Sequence, residues 1–508
     1  MDIRTPARSL LLLAILSAVH CAPALGEDIK TTLDLARRGN MDAQYNMGQF
    51  YMMGIGVTKN MTEAIRWYRL AADQGERESI FQLGTLYYLG EGVTQNKTKG
   101  IRLIRDAAGL GSMAAQNTMG ILYTNGESLP QDYAEAATWF RKAADQGQTE
   151  SIFRLGALYH LGVGVPKDEG KGIRLICEAA SLGFSAAQNR LGQIYEHGAG
   201  LPQDPVEAVK WYHKAAKGGL ADGLFHLGAC YEHGLGTSKD LPEAVKCYHL
   251  AAKQGFPEAF HNLANCYTKG TGVAKDLEEA ANCYRLAAEK GLAESQYNLA
   301  CCYYGGIGIS KDVSAALKWI RKSAQQGHPE AQFSLANSYA NGDAGLAKDM
   351  VEAVRLSRLA AEQGHVGAQS TLGSLYYFGE DVPKDLKESY KWAIKAAEQG
   401  DALAQNNVGW SYHEGDAVAR DLEAAVRWFR KSAEQGYTTA QLNLGNSYLR
   451  GEGVAQDAVE AVKWYRLAEA QGDKDARSSR SNVEKNMTPE QIAEAQKRAK
   501  EWKPVTPK

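Results

Sequence analysis

The amino-acid sequence predicts an all-α protein, an α-solenoid of about twelve stacked antiparallel helix pairs, and three observations carry that prediction. Glycine recurs every 36 residues from Gly39 and Gly75 to Gly327, and after one 37-residue step again at Gly364, Gly400, Gly436 and Gly472. An Asp or Asn recurs in the same register, from Asn60, Asn96, Asp132 and Asp168 through Asp204 to Asp457. Between these markers apolar residues fall at helical spacing twice in every repeat. A period in this range marks supersecondary units that bury their apolar faces only against their neighbours. Such an array presents a long surface rather than a closed pocket, which puts recognition first among its functions.

The N-terminus stands apart from the array. Arg4 and Arg8 precede an apolar run from Leu10 to Val19, and small residues follow at Ala22, Ala24 and Gly26. This is the pattern of a secretory signal peptide over residues 1–26, cleaved after Gly26 or Ala24. The run is well short of the roughly 20 apolar residues that a membrane anchor needs. His20 stands before Cys21 where a lipidated cysteine follows a small residue, so a lipid anchor is not expected. No later segment is long and apolar enough to span a bilayer, so the mature chain is expected in the periplasm or secreted, with no integral membrane segment. Thr31 to Gly39 reads as a second helix lacking its first, which makes residues 27–39 an N-terminal capping helix.

Residues 40–472 hold the twelve repeats, and residues 184–219 show their grammar. Ala187, Leu191, Ile194 and Tyr195 share one face of a first helix; Ala208, Trp211, Tyr212, Ala215 and Ala216 share one face of a second. Gly198 ends the first helix, and Asp204 opens the second, with Pro205 in its first turn and Glu207 placed to complete a capping box. The cap contributes about 1 kcal/mol per helix. A tyrosine near the end of each first helix, from Tyr51 and Tyr87 to Tyr412 and Tyr448, is expected to pack between the helices, its hydroxyl reaching a backbone or water partner.

These residues spell A-x-x-x-L-G-x-x-Y-x-x-G-x-G-V-x-x-D-x-x-x-A-x-x-W-Y-x-x-A-A-x-x-G, clear in Ala115 to Gly147 and Ala187 to Gly219, and the pattern resembles the Sel1-like repeat, a relative of the tetratricopeptide repeats. The resemblance implies a right-handed superhelix whose first helices line the concave face, and an adaptor or scaffold role. It also implies that export is common among bacterial members, which serve in envelope signalling, polysaccharide export or host interaction. Some cysteine-rich relatives bind and slowly hydrolyse penicillins, which makes a weak β-lactamase-like enzyme the competing class. This chain lacks their regular cysteine pair in each repeat.

Departures from the pattern individualise the chain. Repeats 2 and 4 share E-S-I-F and K-G-I-R-L-I and carry Gly100 and Gly172 inside the second helix, where other repeats have an Ala such as Ala208 or Ala244; duplication of a 72-residue pair explains this better than a need for close backbone contact. The extra residue of repeat 9, within Asn341 to Lys348, lengthens the loop between its helices. At the far end, residues 473–508 supply capping helices and a tail, with Thr488-Pro489-Glu490-Gln491 opening the last helix as a capping box. Six cysteines cluster between Cys230 and Cys302. Helices turning near Phe256 bring Cys247 level with Cys266, and those turning near Leu292 bring Cys283 level with Cys301 or Cys302. Inter-repeat disulfides and buried free thiols are therefore both compatible with the sequence.

Charge is balanced, with 57 basic and 59 acidic residues and no Lys/Arg-rich run in the repeats, so no nucleic-acid partner is expected. The G-x-G pairs follow helices and lack a third glycine, and H-E-x-x-H, G-x-S-x-G and S-x-x-K are all missing, so no catalytic residue, cofactor or metal is expected. The repeated Glu196/His197 and Glu232/His233 lie one repeat apart, too far for one metal ion. A stripe of amides remains. Asn46, Asn262, Asn298, Asn407 and Asn443 share one position of the first helix, and Asn265, Asn337 and Asn446 lie three residues further on, the same face. Solvated polar surface is the plain reading of this stripe. On the concave face that the resemblance implies, it would be a ladder of donors and acceptors suited to an extended peptide backbone or a glycan. The function expected is a non-enzymatic, exported scaffold for a protein, peptide or envelope polysaccharide.

Overall fold

In a computed structural model, residues 29–379 and 382–505 are described, and the signal segment expected over 1–26 lies outside them. Twenty-seven helices and no strand occur among the described residues. Ile29–Arg37 comes first, twelve helix pairs follow, from Met41–Met53 with Met61–Ala72 to Thr438–Arg450 with Ala458–Ala470, and Lys474–Glu484 and Pro489–Glu501 close the series. The chain divides into two compact units, residues 1–259 and 260–508, the division falling inside the helix Pro257–Lys269 rather than at a linker.

Two glycines set each pair, and both are needed for backbone reasons. The 36-residue glycine joins successive repeats with φ between +80° and +100° at Gly75 through Gly472, a region closed to most side chains. A second one, such as Gly198 at φ +69°, caps the first helix in the left-handed conformation. The Asp cap works as read, but its box does not form. Asp204 accepts from the Val206 and Glu207 amides, while its own N–H already donates to the Tyr195 carbonyl at 2.9 Å and so closes the hairpin. No orphan amide is left for Glu207, which turns to Lys210 at 2.6 Å instead. The box at Thr488 does form, with Gln491 reaching back to the Thr488 amide at 2.9 Å.

The aromatic ring between the helices is not the tyrosine expected there. Tyr68, Phe140, Tyr212, Tyr248, Phe429 and Tyr465, from the second helices, are fully buried. Each lies against a first-helix glycine such as Gly48 or Gly445, where a Cβ would come within 3 Å of the ring. The first-helix tyrosines are mostly half-buried, and their hydroxyls accept from side chains rather than backbone: Tyr159 from Arg141 at 2.9 Å and Tyr448 from Arg430 at 2.8 Å.

Repeats 2 and 4 depart from this scheme. Ile104 and Ile176 stand where seven other repeats carry the large ring, and a Cβ on Gly100 would lie 2.7 Å from the Gly84 carbonyl. Gly172 is equally close to the His160 amide. The smaller side chain lets the helices approach and the glycine makes room, so these glycines have a packing role beyond any record of duplication. The added residue of repeat 9 does fall in the loop, between helices ending at Asn341 and starting at Met350, where Ala344 holds φ +54°.

A glutamine clamp ties repeat to repeat. Gln405 donates to the Ala397 carbonyl of the preceding repeat at 3.1 Å, and Gln435, at the end of the same repeat's second helix, donates to Gln405 Oε1 at 2.8 Å and to the Gly400 carbonyl at 3.0 Å. The arrangement recurs at Gln116 with Ala108 and Gln146. It gives a second donor to the Ala397 and Ala108 carbonyls, which already accept the Gly400 and Gly111 amides, and one to the Gly400 carbonyl.

At the C-terminus, Trp502 packs edge-on to Trp464 with centroids 6.2 Å apart, and Arg480 bridges Glu469 and Glu484. Arg498 reaches Glu460 of the last repeat at 2.8 Å. The two final helices thus cover the end of the array with an apolar contact edged by ion pairs.

Candidate binding surface on the first helices

The structure distributes the eight asparagines unevenly. Asn262, Asn265, Asn298, Asn407, Asn443 and Asn446 are half-buried, as is Asn46, whereas Asn337 is exposed. Asn265 accepts the Tyr284 hydroxyl at 2.5 Å, and Asn446 accepts that of Tyr465 at 2.8 Å, so both anchor the core ring of their own repeat. Asn443 donates to Oδ1 of Asn406 in the preceding repeat at 3.0 Å, and Asn406 lies 3.5 Å from Asn407 Oδ1. That short chain of amides does link two repeats, but it does so internally.

Five of the seven described cysteines prove to be core residues, while Cys177 is half-buried and Cys301 exposed. Cys230, Cys247, Cys266, Cys283 and Cys302 are buried, and Cys177, Cys230, Cys247, Cys283, Cys301 and Cys302 are free thiols. None of the bridges considered from the sequence, Cys247 with Cys266 or Cys283 with Cys301 or Cys302, is formed in this structure. Burial pushes the thiols of Cys230 and Cys283 up to about 12 and those of Cys247 and Cys302 to about 11, which keeps them protonated and weakly reactive.

Further toward the N-terminus, the first helices carry a richer polar network that the asparagine pattern did not indicate. Asn117 donates to Glu150 at 3.0 Å and accepts from Ser151 at 2.9 Å, and Asn189 donates to Asp222 at 2.7 Å, each time linking one repeat to the next. Arg154 gives Nε and Nη2 to Glu150 Oε1 at 2.9 and 2.7 Å. Arg190, one repeat on, instead meets Gln193 Oε1 at 3.1 Å and His160 Nε2 at 3.4 Å, and Gln193 meets His226 Nε2 at 3.0 Å.

Several of these groups are buried without a partner among the described residues: Gln49 Oε1, Ser79 Oγ, both amide atoms of Gln82, His160 Nδ1, Asn189 Oδ1 and Arg190 Nε. Gln82 is only 1% exposed. All of them belong to the first helices of repeats 1, 2, 4 and 5. Trp67 Nε1, Trp464 Nε1 and Arg466 Nε, on second helices, are likewise without a partner. Buried polar atoms are rarely left unsatisfied, and most of these lie on first helices of the N-terminal unit, which makes those helices the candidate ligand surface. Glu196 and Glu232, weighed above as metal ligands, accept the hydroxyls of Tyr212 and Tyr248 and so belong to the core.

Helix pairs on a 36-residue period, with a polar first-helix face and an apolar inter-helix core, define an α-solenoid repeat protein. The Sel1 repeat model matches twelve consecutive stretches, from residues 42–76 to 438–473, and the chain belongs to the Sel1-repeat family. Among solved structures it is similar to c5321, a protective antigen present in uropathogenic Escherichia coli strains and displaying the same repeat fold: 31% identical over 94% of each chain, TM-score 0.67. A Sel1 repeat protein from Oxalobacter formigenes is 33% identical over 50% of this chain and 99% of its own, with a TM-score of 0.45. No curated protein matches significantly. The Sel1-repeat scaffold is typical of protein–protein interaction and is generally non-enzymatic.

Proposed function

We propose that this protein is an exported, non-enzymatic scaffold that holds a stretch of a partner polypeptide along its first helices. The observation that carries this reading is the set of buried polar atoms without a partner on first helices of the N-terminal unit, in Gln49, Gln82, His160 and Arg190 among them. A peptide backbone offers N–H and C=O groups in alternation, which is what such groups lack. Export is supported by the charged, apolar and small-residue sequence of residues 1–26 and by the likeness to c5321, since a protective antigen is a protein that the immune system reaches.

Photo-crosslinking in the producing cell tests the surface. A photoreactive residue at Gln193 or Asn262 on first helices is expected to capture a protein, whereas one at Arg174 or Val206 on second helices is not. Equal capture from both faces, or none, would overturn the reading. Mass spectrometry of the mature N-terminus tests export, with a start at Leu25 or Glu27 expected; a chain still beginning at Met1 would refute it.

A further inference from the structure

Repeats 4 and 5 contain an internal comparison that sharpens this surface into a site. Arg154 and Arg190 occupy the same place in successive first helices, Thr149–Leu161 and Ser185–His197. Arg154 is neutralised by Glu150 four residues earlier. At the corresponding place in repeat 5 stands Ala186, and among the described residues Arg190 has no carboxylate partner.

The guanidinium is nonetheless half-buried, and burial holds its pKa below the usual arginine range. A desolvated cation without a counter-charge is costly, so its position calls for an anion from elsewhere. The neighbours fix the kind of anion. Arg190 can only donate, so His160 Nε2 accepts from it and the imidazole proton sits on Nδ1. That Nδ1–H and the Arg190 Nε–H are both buried donors lacking an acceptor. Gln193 holds Nη1 from the other side and is itself held by His226. One cation and two unsatisfied N–H groups from adjacent first helices require an anion with two acceptor oxygens.

We infer that Arg190, with the Nδ1–H of His160 and oriented by Gln193, binds a carboxylate of the partner polypeptide, in the place that Glu150 fills for Arg154. This rests on the scaffold reading and names the chemistry that one segment of it recognises: an acidic side chain or a free C-terminus. Planar guanidinium–carboxylate pairing gives geometric specificity that a surface lysine would not.

Full-length protein is titrated by fluorescence anisotropy with three short labelled peptides: a Glu-Ser repeat with blocked termini, the matching Gln-Ser repeat with blocked termini, and the Gln-Ser repeat with a free C-terminal carboxylate. Tighter binding of the first peptide assigns the site to acidic side chains, and of the third to a C-terminus. Equal binding of all three overturns the inference. Ala186→Glu supplies the missing carboxylate within the chain and is expected to raise the Tm while weakening the preferred peptide at least about tenfold. Arg190→Gln is expected to weaken it similarly without that gain in Tm. Because Ala186→Glu gains an ion pair, loss of binding in it is not loss of fold. Wild-type affinity in both variants overturns the carboxylate site; the scaffold reading fails separately, by loss of first-helix crosslinks to the native partner.

Discussion

The N-terminal unit and the C-terminal unit use one repeat grammar and treat the hydroxyl of its core tyrosine differently. In repeats 7 and 12 the hydroxyls of Tyr284 and Tyr465 go to Asn265 and Asn446, at the tenth residue of the repeat. In repeats 5 and 6 the hydroxyls of Tyr212 and Tyr248 go to Glu196 and Glu232, three residues further along the first helix, and that of Tyr68 in repeat 1 goes to Met52 at the same place. The tenth residue is then released from the core. Gln193 takes up Arg190 and His226, and Gln49 Oε1 is left without a partner. A polar residue on the first helix thus either holds a core hydroxyl or is freed from the core, according to which neighbour receives that hydroxyl.

The largest expected effect tests the close approach peculiar to the N-terminal unit. Gly172→Ala places a methyl against backbone atoms of the facing helix at 2.7 Å, and Gly100→Ala does the same in repeat 2. Each is expected to cost about 3 kcal/mol, whereas the mirror change Ala461→Gly in repeat 12 costs about 1 kcal/mol. Hydrogen exchange of the affected helix pairs, read against denaturant, measures both, and equal costs would show that repeats 2 and 4 are not more tightly spaced. Next in size is Asn446→Ala. It leaves the buried Tyr465 hydroxyl without its acceptor, for an expected loss of about 2 kcal/mol in repeat 12. Asn265→Ala should behave alike in repeat 7, so removing the asparagine stripe together lowers stability, a result that a purely solvated or ligand-binding stripe would not give.

How far this was legible follows from where the chemistry is local. The helix pairs could be read because a left-handed glycine and an Asp cap impose their conformations within a few residues and recur in register. The inter-helix ring could not be assigned, because two aromatic positions recur per repeat and both fall on apolar faces; Gly48 and Gly445 opposite the second-helix ring were the available signal. Gln405 and Gln435 were visible as recurring glutamines 30 residues apart, yet only the packing of successive repeats shows that they clamp helix ends. The fates of Asn265 and Asn446 depend on a tyrosine 19 residues on, beyond helical spacing. For Arg190 the signal lay in what was missing, Ala186 against Glu150.

A smaller effect, of opposite sign, bears on the unpartnered groups. Gln82→Leu removes a buried amide with no partner among the described residues and keeps most of its volume, so the unliganded protein is expected to be unchanged or stabilised by about 1 kcal/mol. Gln441→Leu, in the clamp of repeat 12, removes the donor to the Ala433 carbonyl and the acceptor for Gln471 and is expected to cost about 1–2 kcal/mol. Equal losses at the two sites would mean that Gln82 has a structural partner after all.

The smallest effect is a pH dependence that separates the units through one histidine in each. Burial lowers the pKa of His160, and Arg190 and Lys167 lower it further against the opposing effect of Glu169. Burial also lowers that of His328, but Glu294 and Glu330 oppose the shift. For a base whose folded pKa lies below its unfolded value of about 6.5, the unfolded chain takes up the proton first, so stability is present above that pH and declines as pH falls through it toward the folded pKa. Between pH 7 and 5, hydrogen exchange in Thr149–Leu161 and Ser185–His197 is therefore expected to accelerate more than in Pro329–Asn341. Arg190→Gln should reduce that difference by removing the positive charge that discourages protonation of His160. A pH response in repeats 4 and 5 identical with and without Arg190 would show that the two side chains do not share one electrostatic site.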